Sequence, residues 1–281
     1  MKALTFLAKR FVAGEEPHEA VQVGKRLQAK GIKATFAKLG EDVHDRGAAA
    51  RAADAAKELL RLIPDGVDRN VSIKMSSMGQ EISREVCLEN TASILDVARE
   101  VGGFVRLDME GSKLTQDTIE IFHELRERYD NVGIVLQAYL HRTLDDVRAA
   151  VERGDSVRLC KGAYKEPPEV ALQDMPEIRR SFREAAHLLL QRGRSPGIAT
   201  HDEELIRDAI DFAREQEIDV SRFEFQMLYG LRPKRWSQLV ADGYTVRIYV
   251  RYGTHWVPYF YRRLRERRGN ILFVLRSLLG G

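Results

Sequence analysis

The sequence predicts an α/β chain folded as a (β/α)8 TIM-type barrel with a short N-terminal helical extension. Three observations carry that expectation. Short β-type runs alternate strictly with longer helical ones, which implies parallel strands joined by helical crossovers. Eight such runs fit within roughly 250 residues, the usual span of this barrel. The rival, a doubly wound open sheet, would need a G-x-G-x-x-G turn after an early strand to hold a dinucleotide, and none is present.

Two helices, around Ala3–Phe11 and Glu16–Lys30, precede the first strand, so residues 1–33 form the extension and 34–281 the catalytic barrel, a single domain overall. The predicted strands are Ala34–Leu39, Asn70–Ser76, Phe104–Met109, Val132–Ala138, Val157–Lys161, Gly197–Thr200, Phe223–Met227 and Thr245–Val250. Helical periodicity marks Asp45–Leu62, Ser83–Val101, Thr115–Tyr129, Leu144–Arg153, Ile178–Arg192, Glu203–Gln216 and Pro233–Asp242 between them. Thr143 suits the cap of the fourth of these and Asp202 the cap of the sixth.

Residues two apart on a strand share a face. The apolar set Val71, Ile73, Val105, Leu107, Leu136, Val157, Leu159, Phe225, Val246 and Ile248 suits packing under helices. The other parity carries Ser72, Lys74, Arg106, Asp108, Gln137, Arg158, Glu224, Gln226, Arg247 and Tyr249, and so points into the barrel. Lone charges there would cost several kcal/mol each. Arg106, Glu224 and Arg247 are therefore expected to pair with one another or with neighbouring carboxylates.

The composition is that of an ordinary globular chain: 281 residues, 31% charged, 44% hydrophobic, formal charge +3. That balance gives no support for nucleic-acid binding. Cys87 and Cys160 are far apart and lack zinc spacing, which makes a reduced, cytoplasmic compartment the expectation. No apolar run approaches the ~20 residues of a membrane-spanning helix. The segment Asn270–Leu279 is apolar but shorter, and is read as closing the core, with peripheral membrane contact as the second reading. His18, His44, His123 and His187 fall in predicted surface helices.

Chemistry in such a barrel gathers at the C-terminal ends of the strands. Those ends hold Lys74, Asp108, Glu110, Gln137, Tyr139, Arg158, Lys161, Thr200, His201, Asp202, Gln226, Tyr229 and Tyr249. Past the last strand, Tyr259, Arg262, Arg263 and Glu266 recur at helical spacing on one face. Adjacent guanidinium forks suit a small carboxylate or phosphate; a solvated basic helix, continuing through Arg265, Arg267 and Arg268, is the plain alternative. Cations exceed anions at this mouth, so an anionic ligand is expected. Two chemistries fit: a Schiff base on Lys74 or Lys161, or a cofactor ring across the mouth with these side chains clamping it and the substrate. Metal ligation is not expected, since no His-x-His or His-Glu-x-x-His spacing occurs.

Eight ordered stretches resemble the proline dehydrogenase family, both its monofunctional bacterial members and the dehydrogenase domain of bifunctional proline-utilisation proteins. They are Arg10 to Glu15, Val71-Ser72-Ile73-Lys74, Arg106-Leu107-Asp108-Met109-Glu110, Val135-Leu136-Gln137-Ala138-Tyr139, Arg158 to Tyr164, Ala199-Thr200-His201-Asp202, Phe223-Glu224-Phe225-Gln226 and Tyr259-Phe260-Tyr261-Arg262-Arg263. Singly each is weak; their order over nearly the whole chain is specific. The resemblance implies a barrel that binds FAD without a Rossmann motif. It implies oxidation of L-proline to Δ1-pyrroline-5-carboxylate, with electrons passed to a quinone. By the same resemblance Lys74, Arg262 and Arg263 hold the substrate carboxylate, and Tyr259 and Leu228 wall the site. Asp108, Arg158 and Tyr249 are the active-site residues, with Asp108 orienting an arginine or hydrogen-bonding Tyr249. FAD contacts fall to Met109, Gln137, Arg158, Lys161, Gly162, Ala163, Thr200 and His201. A cytoplasmic protein, or one peripheral to the inner membrane, is expected.

Three positions depart from the family pattern: Ala37 where an Asp is usual before Leu39-Gly40-Glu41, Arg251 where a Pro is expected, and Cys160 where Val is common. None is a clamp residue. Because the chain begins almost at the Arg10–Glu15 stretch, a short N-terminal arm is expected, which together with Ala37 bears on FAD retention.

Overall fold

Alternating polarity along eight short runs closes them into one parallel barrel in the order β1 to β8, with β8 returning to β1. The computed structural model describes residues 11–40 and 43–254. The strands are β1 (Lys33–Lys38), β2 (Asn70–Lys74), β3 (Phe104–Asp108), β4 (Val132–Gln137), β5 (Val157–Cys160), β6 (Gly197–Ala199), β7 (Glu224–Leu228) and β8 (Thr245–Tyr252). Helix α1 (Pro17–Gln28) precedes them and packs across the β8–β1 seam. The crossovers are α2 (Arg46–Leu62), α3 (Arg84–Glu100), α4 (Ser112–Arg126), α5 (Thr143–Glu152), α6 (Met175–Arg192), α7 (Glu203–Glu215) and α8 (Pro233–Ala241). Among the described residues no helix is long and apolar enough to cross a membrane.

Local chemistry sets most helix starts. Asp45 accepts from Ala48 N at 2.8 Å and so caps α2, and Asp202 accepts from Glu204 N at 3.3 Å to cap α7. Proline at the first turn of α1, α6 and α8 gives up only an amide hydrogen that no helix would use. Thr143 is not a cap: Arg142 holds that position, and the Thr143 hydroxyl donates instead to Gln137 O at 2.5 Å. Helices α4 and α6 begin three residues before their expected starts, because periodicity reports the buried stripe while the first turn of each lies outside it. Strand β2 ends at Lys74, and Ser76–Met78 form a 3-10 turn; β7 runs Glu224–Leu228, one residue later than expected. His44 lies in the loop before α2, not in a helix.

The predicted outward set is wholly or nearly wholly buried beneath the helices, Val71, Leu107, Leu159, Phe225 and Ile248 among them. Each such side chain contributes about 1.5–3 kcal/mol through burial. The interior is different. It holds long polar side chains where branched apolar ones are usual, and two glycines make room for them. A Cβ at Gly133 would strike the Arg106 guanidinium, and one at Gly197 the Gln226 amide.

Arg247 pairs with Glu224 at 2.7 Å and also with Asp68, as expected for a buried cation. Burial alone would raise the Glu224 carboxyl, but Arg247, Arg106 and the Gln226 amide together hold the group below its ordinary value. Arg106 does not follow that expectation. Its guanidinium donates to Ser156 O (2.7 Å), Ser156 Oγ (3.2 Å) and Ile134 O (3.3 Å), and no described carboxylate reaches it. Main-chain carbonyls at the β4 and β5 starts are nearer than any acid, so they take its hydrogens. Burial, and then the positive charge of Arg158, push Arg106 down to about 9, which leaves it cationic at neutral pH.

Candidate active site

Asp108 ends β3 at the barrel mouth, level with Lys74 of β2. Its two oxygens are both engaged. Oδ1 accepts from Arg158 Nη1 at 2.9 Å, and Oδ2 accepts from the Tyr249 hydroxyl at 2.5 Å. The two partners offered to Asp108 by the sequence, an arginine and Tyr249, are thus both taken. Burial, and then the Asp108 carboxylate, push the Tyr249 phenol above its ordinary value, so it stays a proton donor across the physiological range. Its ring also lies beneath two guanidinium carbons, that of Arg158 at 5.2 Å and that of Arg251 at 4.8 Å from the centroid. Arg251, the departure from the expected Pro, thus packs on the Tyr249 ring.

Arg158 is the hub. Besides Asp108 it donates to Ser72 Oγ at 2.9 Å and to Gln226 Oε1. Its Nη2 is buried and has no hydrogen-bond partner among the described residues. A buried guanidinium nitrogen without an acceptor costs free energy, and it suits a ring carbonyl or nitrogen of a bound cofactor.

A second group forms where β5, β6 and β7 end. Lys161 donates to Asp202 at 2.8 Å, and Arg179 of α6 meets the same oxygen at 2.8 Å. Burial would raise Asp202, but these two cations hold it below the ordinary carboxylate value. Thr200 Oγ1 accepts from Asp202 N at 3.1 Å. His201 Nε2 accepts from Leu228 N at 3.1 Å, which assigns the ring proton to Nδ1. Leu228 is thereby tied to the β6 end, and Arg232 clasps the His201 carbonyl at 2.7 Å from the next loop.

Met109 and Gln137 are buried at the β3 and β4 ends, and the Gln137 amide donates to Glu110 O at 2.9 Å. Lys74 is half-exposed, with Nζ 3.8 Å from Glu110, whose carboxylate also accepts from Ser76 N and Oγ, both at 2.9 Å. Gly162 and Ala163 open a long loop across the mouth. Gly162 has φ +110°, and a Cβ there would strike the Tyr139 ring, so only glycine lets the loop leave β5 this closely. Glu166 then pins the loop to the start of α4, accepting from Ser112 N (2.7 Å) and Oγ (2.6 Å).

The structure thus joins Asp108, Arg158 and Tyr249 directly and gathers Lys161, Thr200, His201 and Leu228 beside them. Tyr259, Arg262 and Arg263 lie outside the described residues. Glu166, Arg179 and Arg232 were missed in the sequence. Only the carboxylate three residues past Ala163 hinted at a loop anchor; nothing local marks the other two. Lys161 is committed to Asp202 and the head of Lys74 is half-exposed, so neither sits in the apolar pocket that a Schiff-base nucleophile requires.

A family model described as proline dehydrogenase matches residues 20–276. Proline dehydrogenase 1 of Bacillus subtilis (strain 168) is 37% identical over 273 residues, covering 97% of this chain and 90% of the relative. Proline dehydrogenase of Deinococcus radiodurans is 38% identical over 284 residues, covering 98% and 91%. A crystal structure of proline utilization A (PutA) from Bdellovibrio bacteriovorus, inactivated by N-propargylglycine, superposes with a TM-score of 0.85 at 27% identity. The match covers 94% of this chain but 33% of that one, so this chain spans about a third of the PutA length.

Proposed function

The chain belongs to the proline dehydrogenase family and oxidises proline, and from that premise we propose an FAD-dependent conversion of L-proline to Δ1-pyrroline-5-carboxylate at the Asp108–Arg158–Tyr249 mouth. The observation that carries this reading is the bonded trio itself, three polar residues from three strands meeting where barrel chemistry gathers.

Oxidation removes a hydride from the ring carbon beside nitrogen and a proton from nitrogen, leaving a C=N bond. When bound, FAD would supply the two-electron acceptor for that hydride and relay the electrons to a quinone. The protein's part is to bind, orient and shield. Lys74, Arg262 and Arg263 are proposed to grip the substrate carboxylate, each charge-assisted bond worth about 1.5–3 kcal/mol, while Tyr249, Tyr259 and Leu228 wall the ring. Asp108 holds Tyr249 as a neutral donor and fixes Arg158.

The buried Arg158 Nη2, without a partner among the described residues, fits a flavin ring acceptor. Met109, Gln137, Lys161, Ala163, Thr200 and His201 would complete its site. A cation such as Arg158 near the ring would favour the negative charge that reduction develops.

The visible spectrum of purified protein tests this. Flavin bands bleached by added proline support it. A colourless protein that forms a borohydride-trapped lysine adduct would instead favour a Schiff-base aldolase, and one with neither flavin nor turnover a binding barrel.

A further inference from the structure

We propose that Gln226 is a positioning residue, the neutral link between Glu224 and Arg158 in a hydrogen-bonded column that runs along the barrel axis and sets the orientation of Arg158. Every joint of the column is direct. Asp68, 38% exposed at the end opposite the mouth, pairs with Arg247, and Arg247 grips Glu224 at 2.7 and 3.1 Å. Glu224 Oε1 accepts from Gln226 Nε2 at 2.5 Å, and Gln226 Oε1 accepts from Arg158 Nε. Arg158 then meets Asp108, and Asp108 meets Tyr249.

The chemistry of the neighbours dictates the residue. A guanidinium only donates and a carboxylate only accepts, so a group between Arg158 and Glu224 must present an acceptor upward and a donor downward. A glutamine amide does both at this reach; asparagine is one methylene shorter. The amide orientation is fixed by its partners without ambiguity. Gly197, paired with Glu224 across β6 and β7, leaves the space that the amide fills, and a Cβ there would push the Gln226 side chain aside. Arg158 Nε is thus aimed from below, while Nη1 is held by Ser72 and Asp108. Three anchors on two nitrogens leave Nη2 alone facing away from them.

This inference rests on the proposed proline oxidation with FAD. Its test compares the flavin-loaded wild type with Gln226→Met, Gln226→Glu and Gly197→Ala, reading kcat, KM for proline, the bound-flavin absorption spectrum and the melting temperature. Gln226→Met and Gly197→Ala are expected to lower kcat by about tenfold or more, the loss of one charge-assisted bond, and to shift the flavin spectrum. KM should change by less than about threefold, since the carboxylate grip lies elsewhere. Gln226→Glu keeps the acceptor for Arg158, so kcat and spectrum should stay near wild type, while the new carboxylate against Glu224 lowers the melting temperature. Should Gln226→Met fail to fold, Gly197→Ala decides by the same readouts. A folded Gln226→Met or Gly197→Ala with wild-type kcat and spectrum overturns the inference, as does Gln226→Glu losing as much kcat as Gln226→Met. Wild-type protein without flavin or proline turnover overturns the functional reading itself, and is thereby told apart from failure of the column.

Discussion

Asp108 shows how one carboxylate can serve two ends. Together with burial, the larger cause, it keeps the Tyr249 hydroxyl protonated, while its other oxygen fixes Arg158. Tyr249→Phe removes a single hydrogen bond to a charged group, worth about 1.5–3 kcal/mol. The expected result is a fall in kcat/KM for proline of roughly tenfold or more with the flavin retained, read by steady-state kinetics and the visible spectrum. At the proposed carboxylate grip the geometry of the fork is expected to matter as much as its charge. Arg262→Lys or Arg263→Lys should each raise KM for proline by more than about tenfold, because a point charge cannot replace a planar pair of donors. Unchanged KM in both variants would refute the grip.

At the scale of elements, capping and loop anchoring separate stability from function. Asp45 caps α2 from the loop that follows β1, and its described side-chain bond goes to Ala48 N, so Asp45→Ala should cost about 1 kcal/mol and lower the melting temperature by about 2–4 °C with KM unchanged. Glu166 acts on the loop that carries Gly162 and Ala163, and both of its side-chain bonds go to Ser112. Glu166→Ala should therefore weaken FAD retention severalfold, measured by flavin release during gel filtration or dilution, with a smaller effect on melting. Equal retention would show that the loop is held by its other contacts, the Leu140–Ala171 bridge among them.

The whole molecule stakes part of its stability on a charged interior. Glu224 has a folded-state value held below its ordinary one. The unfolded chain therefore takes up that proton first as pH falls, and stability declines with it. The contribution is complete above about pH 4.3, the unfolded glutamate value, and is lost as pH drops through the lower folded value. Glu224→Gln leaves Arg247 with Asp68 as its one described carboxylate and should cost about 3 kcal/mol at neutral pH. The gap between variant and wild type should close below about pH 4 in urea titrations at stepped pH. A gap constant with pH would mean that the pair is not what the substitution disturbs.

The barrel, its strand order and the inward face were legible in the sequence, since a period of two and strict alternation with helices are local properties of the chain. Asp108, Arg158 and Tyr249 were legible as inward-facing polar residues of β3, β5 and β8, the first two within stretches that resemble a family. Their mutual bonds were not, nor were the carbonyl partners of Arg106, the anchor at Glu166 or the link through Gln226. Those depend on which strand ends up level with which, as when closure of β8 on β1 seats Arg247 beside Lys33. Hydrogen bonds form between atoms a few ångströms apart and so answer to distance in space. The order of residues along the chain decided what could line the barrel; only its closure decided what each of them would touch.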